Sequence, residues 1–212
     1  MWRSLTLLPG TLDAPQGLVP RGLVLAAAVC LLPALFTPLW KMTMFAPQYP
    51  DGLELSIYSH KLDSGRGGQD AKEINLLNHY IGMREIATED FDEFKWMPFM
   101  IGGLVILFLR AAVLGRLGHL IDLVALFGYF SLYGMGSFAY KLYAYGHHLD
   151  PSAAVKVGPF TPPFFGYKQL ANFEVYSYPG PATYALAAAG ACLVAALFVA
   201  WRRRDVAAVP SQ

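Results

Sequence analysis

Hydrophobic positions in this chain gather into four long runs, residues 22–40, 96–114, 120–140 and 183–201. Each is close to the roughly 20 apolar residues that one bilayer crossing requires. The first run, GLVLAAAVCLLPALFTPLW, contains Pro33 and Pro38, which are costly in a soluble helix and tolerated in a membrane one. Before it, Pro9, Gly10, Pro15, Gly17 and Pro20 argue against a long helix ahead of residue 21. A cleaved signal peptide is the rival reading of this end. No small-residue cleavage pattern follows Trp40, so an uncleaved anchor is expected. The second and third runs are joined only by GRLGH, residues 115–119, and so are predicted to be antiparallel neighbours.

Between the runs lie two longer, more polar segments. Within residues 41–95, Leu53, Leu55 and Ile57 alternate at period two, which predicts a half-buried strand. SGRGGQ reads as a turn. Asp70 then stands as an N-cap with Glu73 three residues on, a capping box opening a helix that carries Ile74, Leu77 and Ile81 on one face. Gly82 either ends or bends that helix. REIATEDFDEF follows, read as a segment at the membrane surface with Phe91 and Phe94 in the interface and its acids on a solvated face. After Tyr140 the third helix is expected to project as far as Gly146. Tyr133, Tyr140, Tyr143 and Tyr145 crowd its end as an aromatic belt. The second segment, 141–182, holds Pro151, Pro159, Pro162, Pro163, Pro179 and Pro181 and reads as an ordered loop packed by its rings, since it is too aromatic for disorder.

Composition fits this picture. The 212 residues are 55% hydrophobic and 15% charged, too apolar for a typical soluble domain. A net charge of +1 without a basic tract disfavours a nucleic-acid partner. Cys30 and Cys192 both lie in apolar runs and read as inert buried thiols. Arginines 3, 21, 110, 116 and 202–204 fall at the ends of the crossings that share a side with the 115–119 turn. By the positive-inside rule that side is cytoplasmic. The expectation is therefore an all-α membrane protein of the bacterial inner membrane with four transmembrane helices. A cytoplasmic segment 1–21 and tail 202–212 flank them, and residues 41–95 and 141–182 fold together as a small mixed periplasmic cap.

Candidate chemistry is sparse. His60, His79, His147 and His148 fall on the outer side, with Met42, Met44 and Met83 near in sequence, while His119 is alone on the other. On an uninterrupted helix His79 and Met83, four apart, would share a face. Thioether selects cuprous copper and imidazole accepts either oxidation state, so His60, His79, Met83, His147 and His148 are the candidate copper ligands. The competing reading gives these histidines hydrogen bonds within the cap and Met83 a place in its core. No nucleophile triad, P-loop, Rossmann glycine pattern, HExxH or CxxCH occurs, and no catalytic residue or enzyme activity is expected.

INLLNHYIGM and YGHHLDPSAAVKVGPFTPPFFGYKQLANFEVYSYPG resemble segments of small bacterial inner-membrane proteins associated with nitrous-oxide reductase maturation gene clusters. The resemblance covers about residues 40–182. It implies a periplasmic accessory role, in copper-site assembly or in electron supply for a copper reductase, with inner-membrane or periplasmic partners, that copper enzyme among them. With the His and Met chemistry above, the expectation is an accessory or assembly protein for a periplasmic copper enzyme that handles copper. The alternative is a structural subunit of a larger membrane respiratory complex with no ligand of its own.

Overall fold

The computed structural model describes residues 12–170 and 172–207. Helix α1 spans Leu18–Leu31 and continues as a 3-10 turn, Leu32–Leu35. Strands β1 (Trp40–Ala46), β2 (Tyr49–Ile57) and β3 (Leu62–Ser64) follow, then α2 (Gln69–Tyr80), α3 (Glu93–Leu114) and α4 (Leu117–His147). Strands β4 (Gly166–Leu170) and β5 (Phe173–Pro179) lead into α5 (Pro181–Ala207). Four helical stretches, Leu18–Leu35, Glu93–Leu114, Leu117–His147 and Pro181–Arg202, are long and apolar enough to cross a membrane. The protein is thus a multi-pass membrane protein whose helices accompany a small mixed domain, as the sequence predicts. The chain divides into two compact units. One is drawn from the described residues of Met1–Leu32, Met100–Ser131 and Ala185–Gln212, the other from Pro33–Phe99 and Leu132–Tyr184.

The first unit is the helix bundle. Its core repeats at helical spacing: Val24, Ala27 and Leu31 on α1, Leu104, Phe108 and Ala111 on α3, Leu120, Leu123 and Phe127 on α4, Ala189, Leu193 and Ala196 on α5. Lipid is as apolar as these side chains, so close packing rather than escape from water holds such a core. The small residues serve that end. At Gly190 a Cβ would lie 3.1 Å from the Phe127 ring. Helix α1 starts at Leu18, earlier than its prolines suggest, because Pro20 falls in the first turn, where a backbone N–H has no helical partner to lose. Arg21 donates from its guanidinium to the carbonyls of Ala112 and Val113, each at 2.7 Å, and so closes the C-terminal end of α3. Gly115, at φ +61°, makes the turn into α4, and Gln16 N–H donates to its carbonyl. Arg3 lies outside the described residues, as do the side chains of Arg203 and Arg204.

The second unit is a five-stranded antiparallel sheet of order β3-β2-β1-β5-β4. Four of its strands depart from expectation, β3 (Leu62–Ser64) among them, and only β2 carries the predicted period of two. Trp40, read as the last residue of the first crossing, opens β1. The aromatic segment read as a loop folds partly as the β4–β5 hairpin, pairing Tyr167 with Tyr176 and Gln169 with Glu174. The inner face carries Met42 and Met44 of β1, Leu53 and Leu55 of β2 and Val175 of β5, and α2 lays Ile74 and Leu77 against it. The rings of the proline-rich segment do pack: Trp40, Phe138 and Phe164 form a triangle with centroids 5.1–5.4 Å apart. Trp40 Nε1 donates to Ser177 Oγ at 2.7 Å within it.

The capping box does not form. Helix α2 opens two residues earlier, after Gly68 at φ +96°, with no side-chain cap. Asp70 is instead turned inward, where its carboxylate accepts from Glu54 N–H at 2.9 Å and from Arg66 Nε. Glu73 accepts from the Tyr49 hydroxyl and from Gln69 Nε2. Phe91, expected in the lipid interface, is buried in the domain core and stacked on Phe94 at 5.0 Å.

Candidate functional site

The residues selected for copper chemistry do not come together. Helix α2 ends at Tyr80 in a Schellman turn: Gly82 N–H donates to the His79 carbonyl and Met83 N–H to that of Asn78. Gly82 sits at φ +75°, where only glycine is comfortable. The turn sends Met83 into the core beside Ile81 and Phe91 and leaves His79 exposed, so the two share no face. His147 stacks on Tyr143 with centroids 3.8 Å apart, and its Nδ1 donates to the Tyr143 carbonyl at 3.0 Å. His148 is exposed, and its N–H donates to the Ala144 carbonyl. His60 is exposed between β2 and β3, 5.9 Å from the Tyr58 ring. Among the described residues no group of three or more His, Cys, Asp or Glu side chains is placed to hold a metal ion.

What the structure does assemble is a polar clasp that the sequence reading passed over. Ser137, Lys141 and Tyr145 recur every four residues and so form one stripe on α4. Ser137 donates to Glu93 Oε1, and Lys141 Nζ pairs with Glu93 Oε2 at 3.3 Å while donating to the Asp90 carbonyl at 2.7 Å. Tyr145 donates to Asp90 Oδ2 at 2.7 Å, and Arg84 pairs with Asp90 Oδ1 at 3.2 Å while its guanidinium lies over the Tyr145 ring. Each charge here meets an opposite charge or a hydrogen bond. Such a set fixes the start of α3 to the end of α4. Under it lies a small cavity of about 90 Å³, lined by Met42, Leu55, Ile74, Met83, Phe91 and Asn78 among others. The amide Nδ2 of Asn78, a residue only 1% exposed, has no partner there.

The other concentrated feature is the face of the sheet turned away from α2. Alternation along β1 and β5 puts Lys41, Thr43 and Phe45 on it, opposite Tyr178, Tyr176 and Glu174. Phe45 meets Tyr176 edge-on at 5.6 Å, Tyr176 meets Tyr167 at 5.0 Å, and Phe165 meets Tyr178 edge-on at 5.5 Å. Phe165, Tyr167 and Tyr178 are all exposed, Phe165 to 64%. Burial, and then the neighbouring Glu174 carboxylate, raises the Tyr176 phenol above its ordinary range, so it stays a neutral donor. Two sets of touching rings on one sheet face, three of the rings exposed, with Lys41 and Glu174 at their margin, have the composition of a protein-binding surface.

Compared with protein-family models and with curated proteins, the chain matches none. Together with the dispersal of its histidines and methionines, this overturns the expectation of a copper-handling accessory or assembly role. The physical reason is local. The Schellman turn separates Met83 from His79, strand alternation directs Met42 and Met44 into the core, and His147 is occupied by its own helix.

Proposed function

We propose that the protein is a structural subunit of a larger membrane assembly and holds no ligand of its own. The observation that carries this reading is the exposed aromatic row Phe165, Tyr167 and Tyr178 on the outer face of the sheet. Rings of this kind bring large rigid contact area at small entropic cost and dominate protein–protein interfaces. The polar groups of the clasp are spent on holding the domain together. In this proposal the termini and the 115–119 turn are cytoplasmic, supported by Arg21, Arg110, Arg116 and Arg202 at the crossing ends, and the sheet is periplasmic. The resemblance of residues 40–182 to proteins from nitrous-oxide reductase clusters points to a respiratory setting. The protein acts by position and carries out no reaction.

The test is retention of partners by tagged protein drawn from its native membranes in a mild detergent. Paired substitution Tyr167→Ala and Tyr178→Ala is expected to lower the amount of a stoichiometric partner at least about tenfold, the cost of losing roughly 1.4 kcal/mol at an interface. His79→Ala and His147→Ala are expected to leave it unchanged. A partner lost with the histidine variants and kept with the tyrosine variants would reject the proposal.

A further inference from the structure

One exposed face of α4 carries a tyrosine, Tyr129, deep in the span and a carboxylate, Asp122, near its start. In the bundle unit, Asp122, Ala125, Leu126 and Tyr129 are all exposed, and their spacing of three, four and seven makes them one face. Tyr129 is 75% exposed. It stands twelve residues beyond Leu117, the first residue of α4, and twelve before Lys141, the next charged side chain after Asp122. At about 1.5 Å per residue that is about 18 Å from either, against a hydrocarbon core of about 30 Å. A tyrosine side chain is far too short to carry its hydroxyl from that depth to water. Interfacial tyrosines sit at the headgroup level, and a bare phenol hydroxyl in hydrocarbon lacks the hydrogen bond it would have in water. Among the described residues Tyr129 makes no hydrogen bond and Asp122 no ion pair. By contrast, the exposed α3 positions Ile106, Leu107, Leu109 and Val113 form a run suited to lipid, interrupted only by Arg110 near the helix end.

We infer that the Asp122–Tyr129 face of α4 is covered in the membrane by a transmembrane helix of a different protein. That helix would carry a basic side chain level with Asp122 and a hydrogen-bonding side chain against Tyr129. Charge decides between this and a second copy of the chain. Two copies meeting in parallel through this face would oppose Asp122 to Asp122, like charges that repel at contact. A cation on a foreign helix satisfies the carboxylate. Ala125 leaves room for the close approach that such pairing uses. The inference rests on the proposed role as a subunit and adds the membrane-embedded half of the contact to the aromatic one.

The experiment places a photo-crosslinking amino acid at Ala125 of the full chain in its native membranes, with Val113 on α3 as the control position. Expected is a crosslink from position 125, absent from 113, to a membrane-spanning segment of another protein. Asp122→Lys should reduce it at least about tenfold, and Tyr129→Phe should reduce it several-fold. In the isolated chain in lipid nanodiscs Tyr129→Phe is expected to leave the melting temperature unchanged or raised, which separates lost docking from lost folding. A crosslink of the chain to itself, lipid adducts alone, or a foreign crosslink indifferent to Asp122→Lys would each overturn the inference. If a partner is still retained through Tyr167 and Tyr178, only the α4 face is wrong. If no partner is found by either route, the subunit role fails with it.

Discussion

Asp70 is 2% exposed and carries its carboxylate inside the sheet domain, tied to Glu54 N–H on β2 and to Arg66. Gly65 makes room for it, since a Cβ there would lie 2.2 Å from Asp70 Oδ2. Asp70→Ala strands a buried backbone donor and is expected to cost about 2 kcal/mol. Asp70→Asn keeps an acceptor and should cost less. Thermal unfolding of both variants checks the order, and equal losses would contradict this role for Asp70. Glu73 behaves differently because it is only half-buried. The Tyr49 hydroxyl, then Gln69, lowers its pKa below the ordinary glutamate range. A carboxylate with a depressed folded pKa contributes stability that is full above the unfolded value, near 4.3, and is lost as pH falls through the folded value. Tyr49→Phe removes the first of these bonds. The stability difference between wild type and Tyr49→Phe is expected to be present at pH 6 and to shrink toward pH 3, measured by unfolding at each pH. A difference that grows on acidification would rule this out.

Helix α2 shows what local pattern can and cannot deliver. The Ile74, Leu77 and Ile81 stripe and the stop at Gly82 were legible because period and a left-handed glycine are local properties. The capping box was not formed because Asp70 found a tertiary partner in β2, which no three-residue spacing reveals. Gly82→Ala is expected to cost about 1–3 kcal/mol, since it forces φ +75° on a residue with a Cβ and sets that Cβ 2.7 Å from the Asp150 carbonyl oxygen. The loss should appear as a lower melting temperature, and an unchanged one would refute the Schellman assignment. Strands β1 and β5 were missed for another reason. WKMTM alternates as cleanly as LELSI but abuts an apolar run that masked its period of two, while FEVYSYP puts Ser177 inward and tyrosines outward among prolines, so it shows no clean apolar–polar alternation. The clasp of Ser137, Lys141 and Tyr145 was hidden likewise, its tyrosine absorbed into an aromatic belt. A stripe every four residues, opposite an acidic segment 84–93, was the signal that could have found it.

For the whole molecule, the four apolar runs settled the class of protein because length and hydropathy alone meet the bilayer constraint. The function was less legible, since a ligand set needs convergence in space and sequence proximity does not supply it. His79 and Met83 are near in sequence and apart in direction. Phe45, Tyr176 and Tyr167 are scattered in sequence and adjacent on the sheet. The charges of the clasp are mutually paired, the apolar interior holds a small cavity of about 90 Å³, and the outer face remains open. That distribution suits a part that is held by others. The central claim is membership of an assembly, and native mass spectrometry of the protein extracted from its own membranes tests it most directly. The account predicts a species heavier than one chain by the mass of at least one different polypeptide, in fixed stoichiometry. A species with the mass of one chain, or of an integral number of copies of it, would contradict the account.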